Sequence, residues 1–140
     1  LPRTGVRPNP FLMPHLLLIA FGGALGAVSR HFVNQGAMRF IGPGFPYGTL
    51  MVNVAGSLAL GVLVGWLAFA GRSDGTELRF ALGVGFLGAF TTMSAFSLDV
   101  VLFIERKAYV SAAAYGLGTL TLSVLAVFVG LIIARKVIAP

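Results

Sequence analysis

Midway along an apolar run, Gly83-Val84-Gly85-Phe86-Leu87-Gly88-Ala89-Phe90-Thr91-Thr92-Met93-Ser94-Ala95-Phe96-Ser97-Leu98-Asp99 brings together three glycines, four hydroxyl side chains and a closing carboxylate. Lipid offers polar groups no partners, so such a patch survives at membrane depth only against protein or a wet cavity. The hydroxyls of Thr91, Thr92, Ser94 and Ser97 cannot share one face of a regular helix. Each preceding glycine weakens a helix by about 1 kcal/mol relative to alanine. A break between Gly88 and Thr92 is therefore expected. It would expose carbonyls at the end of one half-helix and amides at the start of the next, the former suited to a hard cation and the latter to an anion. A continuous, kinked helix whose hydroxyls bond their own preceding turn is the alternative.

Two further polar faces lie in otherwise apolar runs. Thr49, Asn53, Ser57, Gly61 and Gly65 recur every fourth residue, which stacks them along one side of a helix with about 6 Å between successive members. Tight packing accounts for the glycines. It accounts less well for Asn53, because a carboxamide without partners in lipid is costly. Tyr115, Thr119 and Ser123 make a second ridge at the same interval, extended outward by Ser111. A lone Ser or Thr in a span bonds its own i−4 carbonyl. A row of hydroxyls exceeds what packing requires and reads as a polar track beside the broken stretch.

Helices through a bilayer are what could hold these faces at one depth. The chain has 140 residues, of which 57% are hydrophobic and 10% charged, and its mean hydropathy is +0.94. A soluble domain of this size could not cover so much apolar surface. A span takes roughly 20 apolar residues, so the sequence predicts an all-α integral membrane protein with four transmembrane helices, at 16–33, 48–70, 78–104 and 108–134, the third broken near its middle. These form one domain, 15–140, preceded by a proline-rich arm over 1–14 that is expected to be disordered. The arm opens Leu-Pro-Arg-Thr-Gly, a sortase-type signal at the wrong end of a chain, and a signal peptide is not expected, since no small-residue cleavage site follows the apolar run that would be its core. The loop between the first two spans is placed at Asn34–Tyr47, where glycine and proline cluster.

The net charge of +6 is spread over termini and loops, which fits lipid headgroups rather than nucleic acid. Arg3, Arg7, Arg72, Arg79, Arg135 and Lys136 fall on one side of a four-span chain, and Arg30, Arg39, Arg106 and Lys107 on the other. So small a bias permits insertion in both orientations. Arg30, near the end of the first span, would snorkel to the interface or serve an electrostatic role. There are no cysteines, so disulfides and thiol chemistry are excluded. His15 and His31 have no carboxylate on their span, and Ser94 and Ser97 no base nearby, so no enzyme is indicated.

The broken stretch resembles the signature of the Fluc (CrcB) family of fluoride channels, G-F-x-G-[GA]-x-T-T-F-S-T-F-S. Gly23–Arg30 is similar to the family's first-helix pattern G-x-x-G-A-x-x-R, and Gly48–Ser57 to its second-helix G-T-L-x-V-N-x-x-G-S. The resemblance runs from about Gly22 to Ser123. It implies an antiparallel, dual-topology homodimer in the inner or plasma membrane, with two fluoride pores that let cytoplasmic fluoride leave passively. Asn53, Met93, Ser94, Phe96, Tyr115, Thr119 and Ser123 would line the pore, with Arg30, Thr49 and Thr92 in vestibule or structural roles. Carbonyls of Gly88 and Thr91 would hold a structural sodium ion on the dimer axis. The chain departs from the pattern where Met93 replaces the first signature phenylalanine, Ala95 replaces a threonine, and Asp99 stands for the usual glutamate. A thioether has no ring edge, so more of the anion contact would fall to Phe96 and Asn53. The other classes weighed are a small multidrug-type proton-coupled transporter, which uses a first-span carboxylate that Leu16–Val33 lacks, and a non-conducting scaffold subunit, which leaves three polar faces idle.

Overall fold

A computed structural model describes residues 12–70 and 75–138, and every regular element among them is helical. Helix α1 covers Leu12–Phe40 and α2 covers Tyr47–Ala70. The third span, Gly75–Glu105, is composite: α3 (Gly75–Leu78), a π-helical stretch (Arg79–Leu87), α4 (Gly88–Phe90) and α5 (Met93–Glu105). Helix α6, Tyr109–Ile138, completes four elements long and apolar enough to cross a bilayer. The expected break is present: Thr91 (φ −77°, ψ 158°) and Thr92 (φ −152°, ψ 119°) are both extended.

The helices exceed the expected spans. Most of the arm placed at 1–14 lies outside the described residues, but Leu12–Pro14 open α1, and proline is tolerated in a first turn because its missing N–H has no partner there anyway. The loop placed at Asn34–Tyr47 begins only after Phe40. Between Asn34 and Phe40, Gly36 is the sole helix-weakening glycine, and Gly42 (φ 103°), whose N–H donates to the Ala37 carbonyl at 3.2 Å, makes the actual stop. The third span runs 75–105 rather than 78–104, and the last 109–138 rather than 108–134. Between them the chain turns through Lys107 (φ 59°). There the Lys107 N–H donates to Ile104 O and the Ala108 N–H to Phe103 O, both at 2.9 Å, which satisfies the carbonyls that a helix end orphans.

The break hands the third span from one neighbour to another. Its first half packs along α1, and its second half, α5, packs on α6, while α2 lies against α6 for much of its length. Glycines set both close approaches. A Cβ at Gly22 would fall on the Ala81 carbonyl oxygen and one at Gly26 on the Phe86 carbonyl oxygen, and a Cβ at Gly85 would come within 2.9 Å of Ile19 O. Between α2 and α6, a Cβ at Gly61 would meet the Val127 carbonyl and one at Gly130 the Leu58 carbonyl. Without a hydrophobic drive between helices in lipid, such backbone contact is how spans associate. The four-residue face of α2 thus divides: its glycines pack against α6, and Asn53 and Ser57 are left for the side of the break.

Gly26→Ala is expected to destabilise the protein by about 1–3 kcal/mol, because the methyl group forces α1 off the third span. Gly36→Ala, with nothing within 4 Å of its added Cβ, is expected to be neutral or to gain up to about 1 kcal/mol from helix propensity. Thermal unfolding of both variants in one detergent measures the contrast.

Candidate functional site

A two-residue extended break in a span leaves backbone groups without their helical partners, and three side chains on three elements take them. The Asn53 carboxamide bonds Thr92 in both directions: Nδ2 donates to Thr92 O at 3.1 Å, and the Thr92 N–H donates to Oδ1 at 2.8 Å. Arg30 donates from Nη1 to Thr91 O at 3.4 Å. The Thr92 hydroxyl caps α5 by accepting from the Ala95 N–H at 3.3 Å, which is why the helix restarts at Met93. Since the Thr92 N–H is turned to Asn53, the Gly88 carbonyl loses the i+4 donor it would have in an unbroken helix.

Two of the remaining hydroxyls of the stretch serve the backbone, and the third pairs with Thr92. Thr91 Oγ1 donates to Leu87 O and Ser97 Oγ to Met93 O, each at 2.9 Å and each one turn back. Ser94 Oγ lies 3.3 Å from Thr92 Oγ1. The self-bonding expected of a kinked helix therefore occurs here together with a true break.

Beside the break, α2, the third span and α6 enclose a groove of about 290 Å³. Asn53, Met93, Phe96, Thr119 and Ser123 line it, with Gly88, Thr91 and Thr92 along the edge that the break supplies. Thr119 is 4% exposed, and Thr119 Oγ1 and Ser123 Oγ are buried without a hydrogen-bond partner. A buried hydroxyl left unbonded costs on the order of 1–3 kcal/mol. A pair of them along one groove leaves that surface with donors that no described residue of this chain takes up. Met93, 69% exposed, projects from the first turn of α5, beside the amides and positive dipole end of that helix.

A second cavity of about 310 Å³ lies where the α1–α2 loop meets the end of α5, lined by Asn34, Thr49, Phe45, Asp99, Phe103 and Arg106 among others. Tyr115 stands between the two. It is 1% exposed, and its ring lies 5.4 Å from Phe96 on the groove side and, on the other, 5.4 Å from Phe45 and 5.9 Å from Phe103. Its hydroxyl donates to Asp99 Oδ2 at 3.0 Å.

The structure thus brings Asn53, Met93, Phe96, Thr119 and Ser123 to one groove, with Gly88, Thr91 and Thr92 at its edge, and Thr49 to the second cavity. It keeps Ser94 out of both cavities, and Tyr115 belongs to the partition between them. Arg30 is in neither. The reading of Arg30 as a residue that snorkels to the interface came from ending the first span at Val33. With α1 reaching Phe40, Arg30 lies ten residues, about 15 Å, inside the helix end, level with the break. Three participants escaped the sequence reading: Phe45 and Phe103, whose rings close on Tyr115, and Asp99, visible as a departure from the motif but not as the partner of Tyr115. No periodicity joins a loop, α5 and α6, so no linear signal marked them.

Residues 17–131 match the family described as CrcB-like protein, Camphor Resistance (CrcB). The "Fluoride-specific ion channel FluC" of Caulobacter vibrioides (strain NA1000 / CB15N) is 50% identical over 127 residues, 91% of this chain and 100% of the relative. The protein of the same name from Chelativorans sp. (strain BNC1) is 51% identical over 126 residues, 90% of this chain and all of the relative. That of Hyphomonas neptunium (strain ATCC 15444) is 45% identical over 127 residues, again covering 91% of this chain and all of the relative.

Asn53→Leu removes both bonds to Thr92 and leaves two backbone groups unpaired, an expected loss of about 2–5 kcal/mol. Hydrogen exchange in detergent is the check. The Thr92 amide is expected to lose at least about tenfold in protection while amides in the middle of α6 change little, since the loss is local to the break.

Proposed function

The chain belongs to the CrcB-like family, and from that premise we propose that it is a fluoride-selective channel whose anion passes along the groove beside the break. The observation that carries this reading is the pair of buried, unpartnered hydroxyls of Thr119 and Ser123, facing Phe96 and Asn53 across the same space. Hydroxyl donors, a positive ring edge and the second N–H of the Asn53 amide suit a small, strongly hydrated anion. None carries a full charge that would trap it. Asn53 does two jobs here: one N–H and the oxygen hold Thr92, and the other N–H is left for the groove.

Tyr115 is assigned to the partition rather than to direct contact, since its one donor is committed to Asp99. Ser94 is assigned to the cap of α5 with Thr92. Met93 would complete a wall only when something lies across the open side of the groove, and an antiparallel second copy is the occupant that the near-equal charge at the two ends allows. In such a homodimer each groove would be closed by the partner, giving two pores. The carbonyl oxygens of Gly88 and Thr91, freed or exposed at the break, are the hard donors that a sodium ion takes. Two oxygens per copy make half a shell, and a bound ion would supply a fixed positive charge joining the copies. Thr91 O also accepts from Arg30, and its second lone pair remains for such a contact.

Transport would be passive. Fluoride enters as neutral HF in acid surroundings, dissociates inside, and is driven out through the channel in the plasma membrane by the negative interior. Neither alternative class gains support: Leu16–Val33 holds no carboxylate for proton coupling, and a scaffold has no use for unpartnered hydroxyls.

Purified protein in liposomes is expected to release fluoride, followed with an electrode, while chloride release stays at background. Equal release of both would sink the selectivity, and no release at all would return the scaffold reading. Phe96→Ala is expected to cut the fluoride rate by about tenfold or more, in line with the loss of a contact made in the rate-limiting step. Asn53→Asp, which sets a like charge in the anion's way and turns a carboxylate oxygen on Thr92 O, is expected to abolish it. Unchanged flux in Phe96→Ala would refute that residue's place in the path.

A further inference from the structure

We propose that Phe45 is a latch on the septum. Carried by the loop between α1 and α2, its ring holds Tyr115 in place between the groove and the second cavity, and the anion leaves the groove at that end when the loop lifts the ring away. The inference rests on the groove being an anion path.

Tyr115 is almost wholly buried between the two cavities, and its one donor is spent on Asp99. An anion moving from one cavity to the other therefore meets a wall of rings with no free hydroxyl. Apolar constrictions of this kind hold back a hydrated ion until they widen.

Four rings build the wall, and they differ in what carries them. Phe96 and Phe103 are on α5 and Tyr115 is on α6, so each is set by an unbroken helix. Phe45 sits in the loop 41–46. That loop is tied at its ends: the Ile41 and Gly42 N–H groups donate to Ala37 O at 2.9 and 3.2 Å, and the Tyr47 N–H to Phe45 O at 2.8 Å. In between, Pro43 has no N–H to give, and those of Gly44 and Phe45 bond no described residue. An added Cβ at Gly42 or Gly44 would meet nothing within 4 Å, so no neighbour hems the backbone there. What fixes the middle of the loop is the Phe45 ring. It stands edge-on to Tyr115 at 5.4 Å and 89°, and lies 4.9 Å from Tyr47 and 5.9 Å from Phe103.

A segment held by side-chain contact, with few backbone hydrogen bonds, opens at lower cost than the helices it joins. Of the four rings, Phe45 is the one whose carrier can move without unwinding a helix. A packed ring turns aside only into free space, and withdrawal of Phe45 supplies that space beside Tyr115. Phe45 thus acts on the anion through Tyr115, as a positioning residue.

In liposomes, initial fluoride efflux in Phe45→Ala is expected to rise about fivefold or more over wild type, since the ring contacts that favour the closed septum are gone. The fluoride concentration that half-saturates efflux should stay within about twofold, because the groove is untouched. Phe45→Leu, which fills space without a ring edge, should show a smaller rise. A merely structural role gives the opposite sign, a lower flux. The chain has no cysteines, so Gly44→Cys and Arg106→Cys, both lining the second cavity, can be combined and joined by short bis-thiosulfonates. The joined loop is expected to lose about tenfold or more in flux and to regain it on reduction, whereas a single-headed reagent on the same thiols should leave roughly half or more. Efflux at or below wild type in a folded Phe45→Ala overturns the proposal, and Phe45→Leu decides in the same way if the alanine variant does not fold. Flux that the link leaves unchanged, or that the single-headed reagent stops equally, overturns it as well. A wild-type protein that releases no fluoride is a different failure: it removes the channel reading itself.

Discussion

The two-way bond between the Asn53 carboxamide and the Thr92 backbone is the interaction on which the rest depends. A span can leave helical geometry at membrane depth only if every released N–H and C=O finds a partner. A carboxamide offers a donor and an acceptor side by side, so one side chain closes both backbone groups of the same residue. Leucine in its place would leave both open, and aspartate would match only the N–H. Arg30 on Thr91 and the Thr92 hydroxyl on Ala95 complete the accounting. The break is therefore held from two other helices and from within its own span.

That arrangement sets the carbonyls at the end of α4 beside the amides at the start of α5, along the edge of the groove. It also redirects the chain, so that α4 stays with α1 while α5 crosses to α6. The crossing opens the groove, because α6 meets the third span only past the break and its Thr119 and Ser123 face the gap left before it. Glycine decides how near the walls stand. Contacts of Gly22, Gly26 and Gly85 on one side and of Gly61 and Gly130 on the other are backbone on backbone, so the cavity keeps its width without a large side chain acting as spacer.

The partition has a different character. Tyr115 is almost wholly enclosed by rings, and its only polar atom is turned to a carboxylate. Four aromatic rings from the loop, α5 and α6 thus make a semi-rigid septum between groove and second cavity. Its hydrogen bond fixes the orientation of the Tyr115 ring, and with it the edge or face presented on each side. Asp99 acts in this septum through Tyr115.

Much of this was legible beforehand, for identifiable reasons. Hydropathy alone required four spans, because lipid accepts only long apolar helices. Glycines followed by hydroxyls required a break, because neither suits a continuous span. Four-residue spacing grouped Asn53 with Ser57, and Thr119 with Ser123, since a helix enforces that geometry without help from its neighbours. The first helix end was misplaced where glycine and proline were read as a stop: their cluster starts only at Gly42, and Gly36 alone does not end α1, so Arg30 was set nearer the membrane surface than the break. Which side chain answers which backbone group, and that Tyr115 spends its hydroxyl on Asp99, came from separate helices meeting. The sequence by itself determined the membrane class, the break and the polar faces, because each follows from local periodicity and the solvent. Only the tertiary structure decided what those faces look at, because hydrogen-bond partners 39 and 61 residues apart are chosen by packing, and no local pattern encodes a distance across the bundle.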